Sequence, residues 1–362
     1  MTRYSLALLP GDGIGVEVMD AALAVLDTLE RRLGATYFLR RPYPGGAQCY
    51  ADTGSALPAE TMSALKNADV ILFGAMGLPH IRYPDGTEIA PQLDIRMELE
   101  LYAGVRPIRA LPGLASPLSD PRAADIDFVL VREQTEGLFY ARGRAVVTHD
   151  DVLDTMRISR AGTTRVADFA LALGARRQLR GKPGRVTCVD KANVFTSMAF
   201  FREVFVERAA LVTEVRADCA YVDATALNLV LKPWTFDVLV TENMFGDILS
   251  DLAAALIGGM GMAPSGDIGD EHALFQPAHG SAPDIVGTGR ANPTAMLLSI
   301  VMMLDWLAER DRSSPLADAA ALLDGAIASA LAQREIVPFE FGGTSGTREI
   351  TAAVISALQT AG

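Results

Sequence analysis

The chain has 362 residues, half of them hydrophobic, a formal charge of -12 and only three cysteines. Its length favours two domains or one large α/β unit over an ordinary single domain, and its acidity argues against nucleic acid, whose phosphates it would repel. No apolar run reaches the roughly 18 residues of a membrane span and no signal-peptide pattern follows Met1, so a soluble, cytoplasmic protein is expected; Cys49, Cys188 and Cys219 lack zinc or redox spacing and are expected as reduced thiols.

An apolar strand over residues 4–9 runs into Gly11-Asp12-Gly13-Ile14-Gly15, and a helix-periodic stretch follows over 16–33. This is the setting of a dinucleotide-binding turn, but Val16 stands where that fingerprint needs a glycine or alanine. The match fails by letter. Further on, the apolar runs ADVILFGA, DFVLVRE, GRVTCVDKA and FDVLVTEN alternate with helix-periodic segments, which predicts an α/β fold with mostly parallel strands. Residues 138–160 break the alternation and are expected to form a protruding hairpin or arm.

Chemistry-bearing residues appear along the same path. Arg96, Arg106 and Arg132 each carry a guanidinium able to grip a carboxylate with two prongs; singly each is more often a salt-bridge partner, so the combination carries the weight. Lys191 follows the strand GRVTCVD, as a surface residue or as a partly desolvated base. Asp223 opens a helix-like stretch, where an isolated aspartate is usually a cap. Asp247 and Asp251 in NMFGDILSDLAAAL are four apart, which stacks their carboxylates on one helix face and suits Mg²⁺ or Mn²⁺, although an acidic first turn also complements the helix dipole. Glycine and proline crowd residues 258–293, as expected of a binding-loop region.

In this order the motifs resemble the β-decarboxylating dehydrogenase family, the isocitrate and isopropylmalate dehydrogenases with their homoisocitrate, tartrate and D-malate relatives. They are GDGIG at 11, RMELELYAGVRP at 96, RExTEG at 132, VDKANV at 189, YVDA at 221, NxFGDILSDL at 243, HGSAPDIVGTGRANP at 279 and GGTSGT at 342. The resemblance covers nearly the whole chain. It implies an isopropylmalate-dehydrogenase-like two-domain fold with mixed, largely parallel sheets. A cofactor-binding domain of residues 1–102 plus 258–362 would flank an inserted domain, 103–257, for substrate, metal and dimerisation.

It also implies a homodimer with shared sites, in which Lys191 and Asp223 reach the neighbouring subunit's cleft. The cofactor would be NAD, held by His279, Gly280, Ser281 and Ala282, with His279 and Asn292 beside the adenine and Ile14 on the nicotinamide side. Asp284 would sit beside the ribose, where a carboxylate repels a 2′-phosphate and so disfavours NADP. Arg96, Arg106 and Arg132 would clamp a di- or tricarboxylate. Asp223, Asp247 and Asp251 would hold the divalent ion, with Lys191 and Asp223 removing the hydroxyl proton. The implied reaction is oxidative decarboxylation of a 3-substituted malate, conventionally 3-isopropylmalate.

Two positions depart from the family pattern, and a residue pair before Arg96 leaves the substrate open. Phe139 stands where relatives carry a tyrosine, with Tyr140 one step later; in a strand adjacent side chains face opposite ways, so Tyr140 replaces the missing hydroxyl only if the backbone bulges. Gln276 stands where glutamate is usual. Gln92 and Leu93, expected to meet the C3 substituent, combine an amide with an apolar group, which fits tartrate, D-malate or another polar malate as well as an isopropyl group. The alternatives are a 2-hydroxy-acid dehydrogenase that stops at the keto acid and a non-catalytic regulatory homologue.

Overall fold

The computed structural model describes residues 3–360. In chain order the first unit is β1 (Tyr4–Gly11), α1 (Ile14–Leu33), β2 (Phe38–Pro42), α2 (Ala47–Thr53), α3 (Ala59–Lys66), β3 (Val70–Ala75) and α4 (Pro91–Glu98). Next come β4 (Ala103–Arg109), β5 (Asp127–Glu133), the short pair β6 (Val146–Val147) and β7 (Val152–Leu153), α5 (Arg160–Leu179), β8 (Arg185–Asp190) and α6 (Thr196–Ala209). Then follow β9 (Arg216–Tyr221), α7 (Val222–Leu231), β10 (Val238–Thr241), α8 (Asn243–Ala255), β11 (Pro264–Ile268), β12 (Ala273–Pro277), α9 (Thr294–Asp311), α10 (Ser314–Leu331) and α11 (Thr347–Thr360).

Ten strands form one sheet in the order β2-β1-β3-β12-β11-β4-β5-β10-β8-β9. The α/β expectation holds, and the sheet is mixed but mostly parallel: only β12-β11, β11-β4 and β4-β5 are antiparallel. The apolar runs lie inside it. All of Val70–Ala75 is buried, as a central strand covered on both faces must be. β4 pairs with β11, Gly104 opposite Asp267, so the sheet runs unbroken across the boundary expected after residue 102. This central antiparallel stretch brings together strands from distant parts of the chain, and the site lies there.

The arm segment opens with a 3-10 turn, Leu138–Ala141, and carries the antiparallel pair β6-β7, whose Val146, Val147, Val152 and Leu153 are exposed. The 3-10 turn replaces the strand expected at Phe139 and Tyr140. Successive side chains on it are about a third of a turn apart rather than on opposite faces. Helix α10 has the length and apolarity of a membrane span. It nevertheless carries Asp318 and Asp324 and packs Leu316, Leu323 and Ile327 into the core, so its apolar surface serves protein packing.

Candidate active site

A cavity of about 260 Å³ opens at the centre of the sheet. Helix α4 brings Gln92, Leu93 and Arg96 to it, β4 brings Arg106, β5 Arg132, α8 Asp247 and Asp251, and β12 Gln276, with Phe139 and His279 at its wall. All three predicted arginines therefore converge, as does the predicted acidic pair.

The local sequence explains the placing of Arg132. Glu242 caps α8 by accepting from the amides of Phe245 (2.7 Å) and Met244 (3.1 Å), which fixes the first turn of the helix beside β5. Arg132 Nε donates to Asn243 Oδ1 at 2.8 Å and the guanidinium pairs with Asp247. At Gly246 a methyl group would stand 2.6 Å from Arg132 Cγ, so the glycine of the NxFGD motif leaves room for the arginine stem. Burial, then the charge of Arg96, pulls the Arg132 pKa down to about 10. Burial also lowers that of Arg106, against the opposing pull of Asp267. Three cations held this close and this dry favour an anionic ligand.

Asp267 was missed by the sequence reading. It is fully buried and accepts from Arg96 Nε (2.8 Å), from both terminal nitrogens of Arg106 (3.2 Å each), from Gln134 Nε2 (3.0 Å) and from Gln276 Nε2 (2.9 Å). Burial pushes its pKa up, but Arg96 and Arg106 outweigh that and hold it below the ordinary carboxylate range. Only its place in the glycine- and proline-rich stretch PSGDIG hinted at it, and that pattern does not distinguish an aspartate that binds arginine from one that caps a turn.

Asp247 and Asp251 lie one turn apart on α8. Burial, then the charge of Asp247, raises the Asp251 pKa. Two adjacent carboxylates, one carrying that strain, form a hard oxygen donor set that fits a divalent ion. Asp223 does not join them in this chain. It pairs with Lys191 at 2.7 Å, and neither residue lines the cavity. A second group of possible ligands, Cys188, Asp190 and Cys219, lies at the ends of β8 and β9. There both Asp190 oxygens already take the Arg202 guanidinium, each at 2.8 Å.

Tyr140 does not take the expected place. The 3-10 turn puts Phe139 against the cavity, its ring centroid 4.9 Å from the Arg132 guanidinium carbon. Tyr140 instead stacks with Arg144 (4.0 Å) and Arg157 (4.9 Å) and is absent from the cavity wall.

The two glycine-rich stretches, about 270 residues apart in sequence, meet in space. The amide of buried Ile14 donates to the Ser281 carbonyl at 2.9 Å. A side chain at Gly13 would stand 2.1 Å from that same oxygen, and its φ of 57° lies in the left-handed region. Ser281 is buried and donates from its hydroxyl to the Gly77 carbonyl, while Gly280 and Asp284 are exposed and Ala282 adopts φ 36°. Asn292 is taken up by Glu340 (2.6 Å) and the Thr294 amide (3.0 Å), so it braces the loop. His279 donates from Nδ1 to the Gly280 carbonyl at 2.9 Å. Its Nε2 is buried with no partner among the described residues, and burial lowers its pKa. A neutral ring with a free, buried nitrogen fits a heteroaromatic ligand such as an adenine.

A larger cavity, about 690 Å³, is lined by Phe169, Leu173 and Trp306. Its arginines already face acids, as in Arg109–Asp324 and Arg177–Asp127. None of the arginine and aspartate constellation above lines it.

The chain is similar to known proteins over nearly its whole length. The profile of the isocitrate/isopropylmalate dehydrogenases matches residues 5–354. The chain is 39% identical to a 3-isopropylmalate dehydrogenase of Methanothermobacter thermautotrophicus, covering 99% of this chain and 100% of that protein. It is 37% identical to a homoisocitrate dehydrogenase of Methanocaldococcus jannaschii, covering 97% of each. A solved isocitrate dehydrogenase from Methylococcus capsulatus superposes with a TM-score of 0.85 at 32% identity, over 99% of this chain and 100% of that one.

Proposed function

The chain belongs to the isocitrate/isopropylmalate dehydrogenase family of decarboxylating oxidoreductases, and from that premise we propose that it oxidises and decarboxylates a 3-substituted malate with NAD and Mg²⁺ or Mn²⁺. The observation that carries the proposal is the convergence of Arg96, Arg106 and Arg132 with Asp247 and Asp251 in one small cavity. By the names of its relatives the conventional substrate is 3-isopropylmalate. A second reading, a malate with a hydroxylated C3 such as tartrate, is favoured by Gln92 Oε1, which is buried without a partner among the described residues. An isopropyl group would leave that oxygen unpaired, at a cost of about 1–3 kcal/mol, whereas a hydroxyl would satisfy it.

In this reading the three arginines bind the substrate carboxylates and so fix which face of C2 meets the nicotinamide. Lys191 and Asp223 of a second copy complete the cleft, and Lys191 takes the C2 hydroxyl proton at Nζ through water or Asp223. The divalent ion, held by Asp247, Asp251 and that second Asp223, would supply Lewis acidity at the hydroxyl and carbonyl oxygens. NAD would supply the hydride acceptor, with Asp284 selecting its free ribose hydroxyls over a 2′-phosphate.

The segments 1–102 plus 258–362 and 103–257 act as two domains about the cleft, and pairing is through α7 and α8. In support, Leu227 and Leu231 on α7 and Ile248 on α8 are 60–61% exposed in the single chain, more apolar surface than a lone helix pair ordinarily shows to water.

The test is a panel of 3-isopropylmalate, isocitrate, homoisocitrate, D-malate and tartrate with NAD and Mn²⁺, following NADH and CO₂ together. Equal amounts of the two products on a malate with an uncharged C3 substituent are expected. NADH without CO₂ would mean a dehydrogenase that stops at the keto acid, and binding without NADH a non-catalytic homologue.

Phe139 leaves the final proton transfer to water. Phe139→Tyr adds a hydroxyl to a ring that already lines the cavity beside Arg132, and it is expected to raise kcat for decarboxylation at least about tenfold. An unchanged kcat at saturating substrate would show that another group already donates that proton.

A further inference from the structure

We infer that Asp267 sets how much negative charge the cleft accepts, favouring malates with an uncharged C3 substituent over tricarboxylates. The inference rests on the substrate class proposed above and goes beyond it.

Asp267 sits behind the cavity wall and does not line it, yet it touches two of the three arginines that do. Arg132 is paired with Asp247. In the metal-free single chain the three guanidiniums of the cleft are therefore matched by Asp247, Asp251 and Asp267, and no cation is in excess. A dicarboxylate draws on the arginine donors that remain. A third carboxylate brings another negative charge into a cleft where Asp267 already takes the Arg96 Nε–H and both terminal nitrogens of Arg106.

Gln276 supports the same reading. Family members usually carry glutamate there, whereas here the amide donates to Asp267 Oδ2 at 2.9 Å. The buried charge sits on β11, against the arginines, and the Gln276 side chain that reaches it from β12 is neutral. Because Asp267 is desolvated and held ionised, one unit of charge at this short range changes anion affinity by an order of magnitude or more.

The experiment compares two unreactive anions, succinate and tricarballylate, by calorimetric titration without NAD or metal. Asp267→Asn is expected to strengthen tricarballylate relative to succinate at least about tenfold. The smaller Asp267→Ser carries the same test if the asparagine variant does not fold. Asp267→Asn combined with Gln276→Glu returns the charge to the site and should restore wild-type selectivity. A residue that merely braced the arginines would weaken both anions in parallel, and an unchanged ratio would overturn the inference. If neither anion binds wild type or variant, this inference and the carboxylate-substrate reading fall together. If the anions bind with the expected ratio but no substrate yields NADH, only the catalytic reading falls.

Discussion

Asp251→Asn is expected to lower kcat/KM at least about a thousandfold, the several kcal/mol that Lewis acidity supplies, without destabilising the metal-free protein. The two effects have one origin. Burial and the neighbouring Asp247 raise the Asp251 pKa, so its ionised form at neutral pH costs folding stability, and a neutral amide removes that cost. The sign is definite: a carboxyl whose folded pKa is raised weakens the fold as pH climbs through the unfolded value. A divalent ion held by Asp247 and Asp251 would reverse it by bringing positive charge to the pair. Wild type should therefore gain melting temperature on addition of Mn²⁺, and Asp251→Asn should start equal or higher and gain little. Full activity in the variant, or an undiminished Mn²⁺ shift, would remove Asp251 from the metal site.

The parts of this site that could be read in the sequence are those whose chemistry follows from spacing. Asp247 and Asp251 share a helix face because they are four apart in an apolar-periodic stretch, and the structure places them so. The arginines were readable as a combination, since α4, β4 and β5 are separate elements whose convergence needs the antiparallel centre of the sheet. What escaped depended on backbone conformation or on long-range pairing. Phe139 faces the cleft because residues 138–141 wind into a 3-10 turn, and nothing in LFYA separates that turn from a strand end. Asp267 acts through Arg96, 171 residues away in sequence, and Arg106, 160 or so away, distances no local pattern encodes. The turn at Gly11–Gly15 fails the nucleotide fingerprint at Val16, and what its Gly13 does instead is visible only in three dimensions: it packs on the Ser281 carbonyl and serves the distant loop as its floor.

Mixing two inactive variants should restore activity. The expectation comes from Lys191, just past β8, and Asp223, in the first turn of α7, which are ion-paired at 2.7 Å and do not line the cavity that holds Asp247 and Asp251. Asp223 is well exposed, as a residue destined for another copy's cleft must be in the single chain. If the site is shared, the Lys191→Ala homodimer lacks the base in both clefts, and the Asp251→Asn homodimer lacks a metal ligand in both. A heterodimer collects both defects in one cleft and leaves the other intact. Random pairing makes half the dimers mixed, so about a quarter of all clefts are intact and co-expression should recover about a quarter of wild-type activity. Mixing folded homodimers should recover that activity only as fast as the subunits exchange, which separates sharing from incomplete inactivation of either variant. If instead Lys191 and Asp223 serve the cleft of their own chain by domain closure, every subunit in every mixture carries a lesion and activity stays at the level of the single variants. On the proposed pairing through α7 and α8, the same experiment thus decides whether the apolar surfaces of Leu227, Leu231 and Ile248 would deliver the base to a neighbour's cleft or would only hold two complete enzymes together.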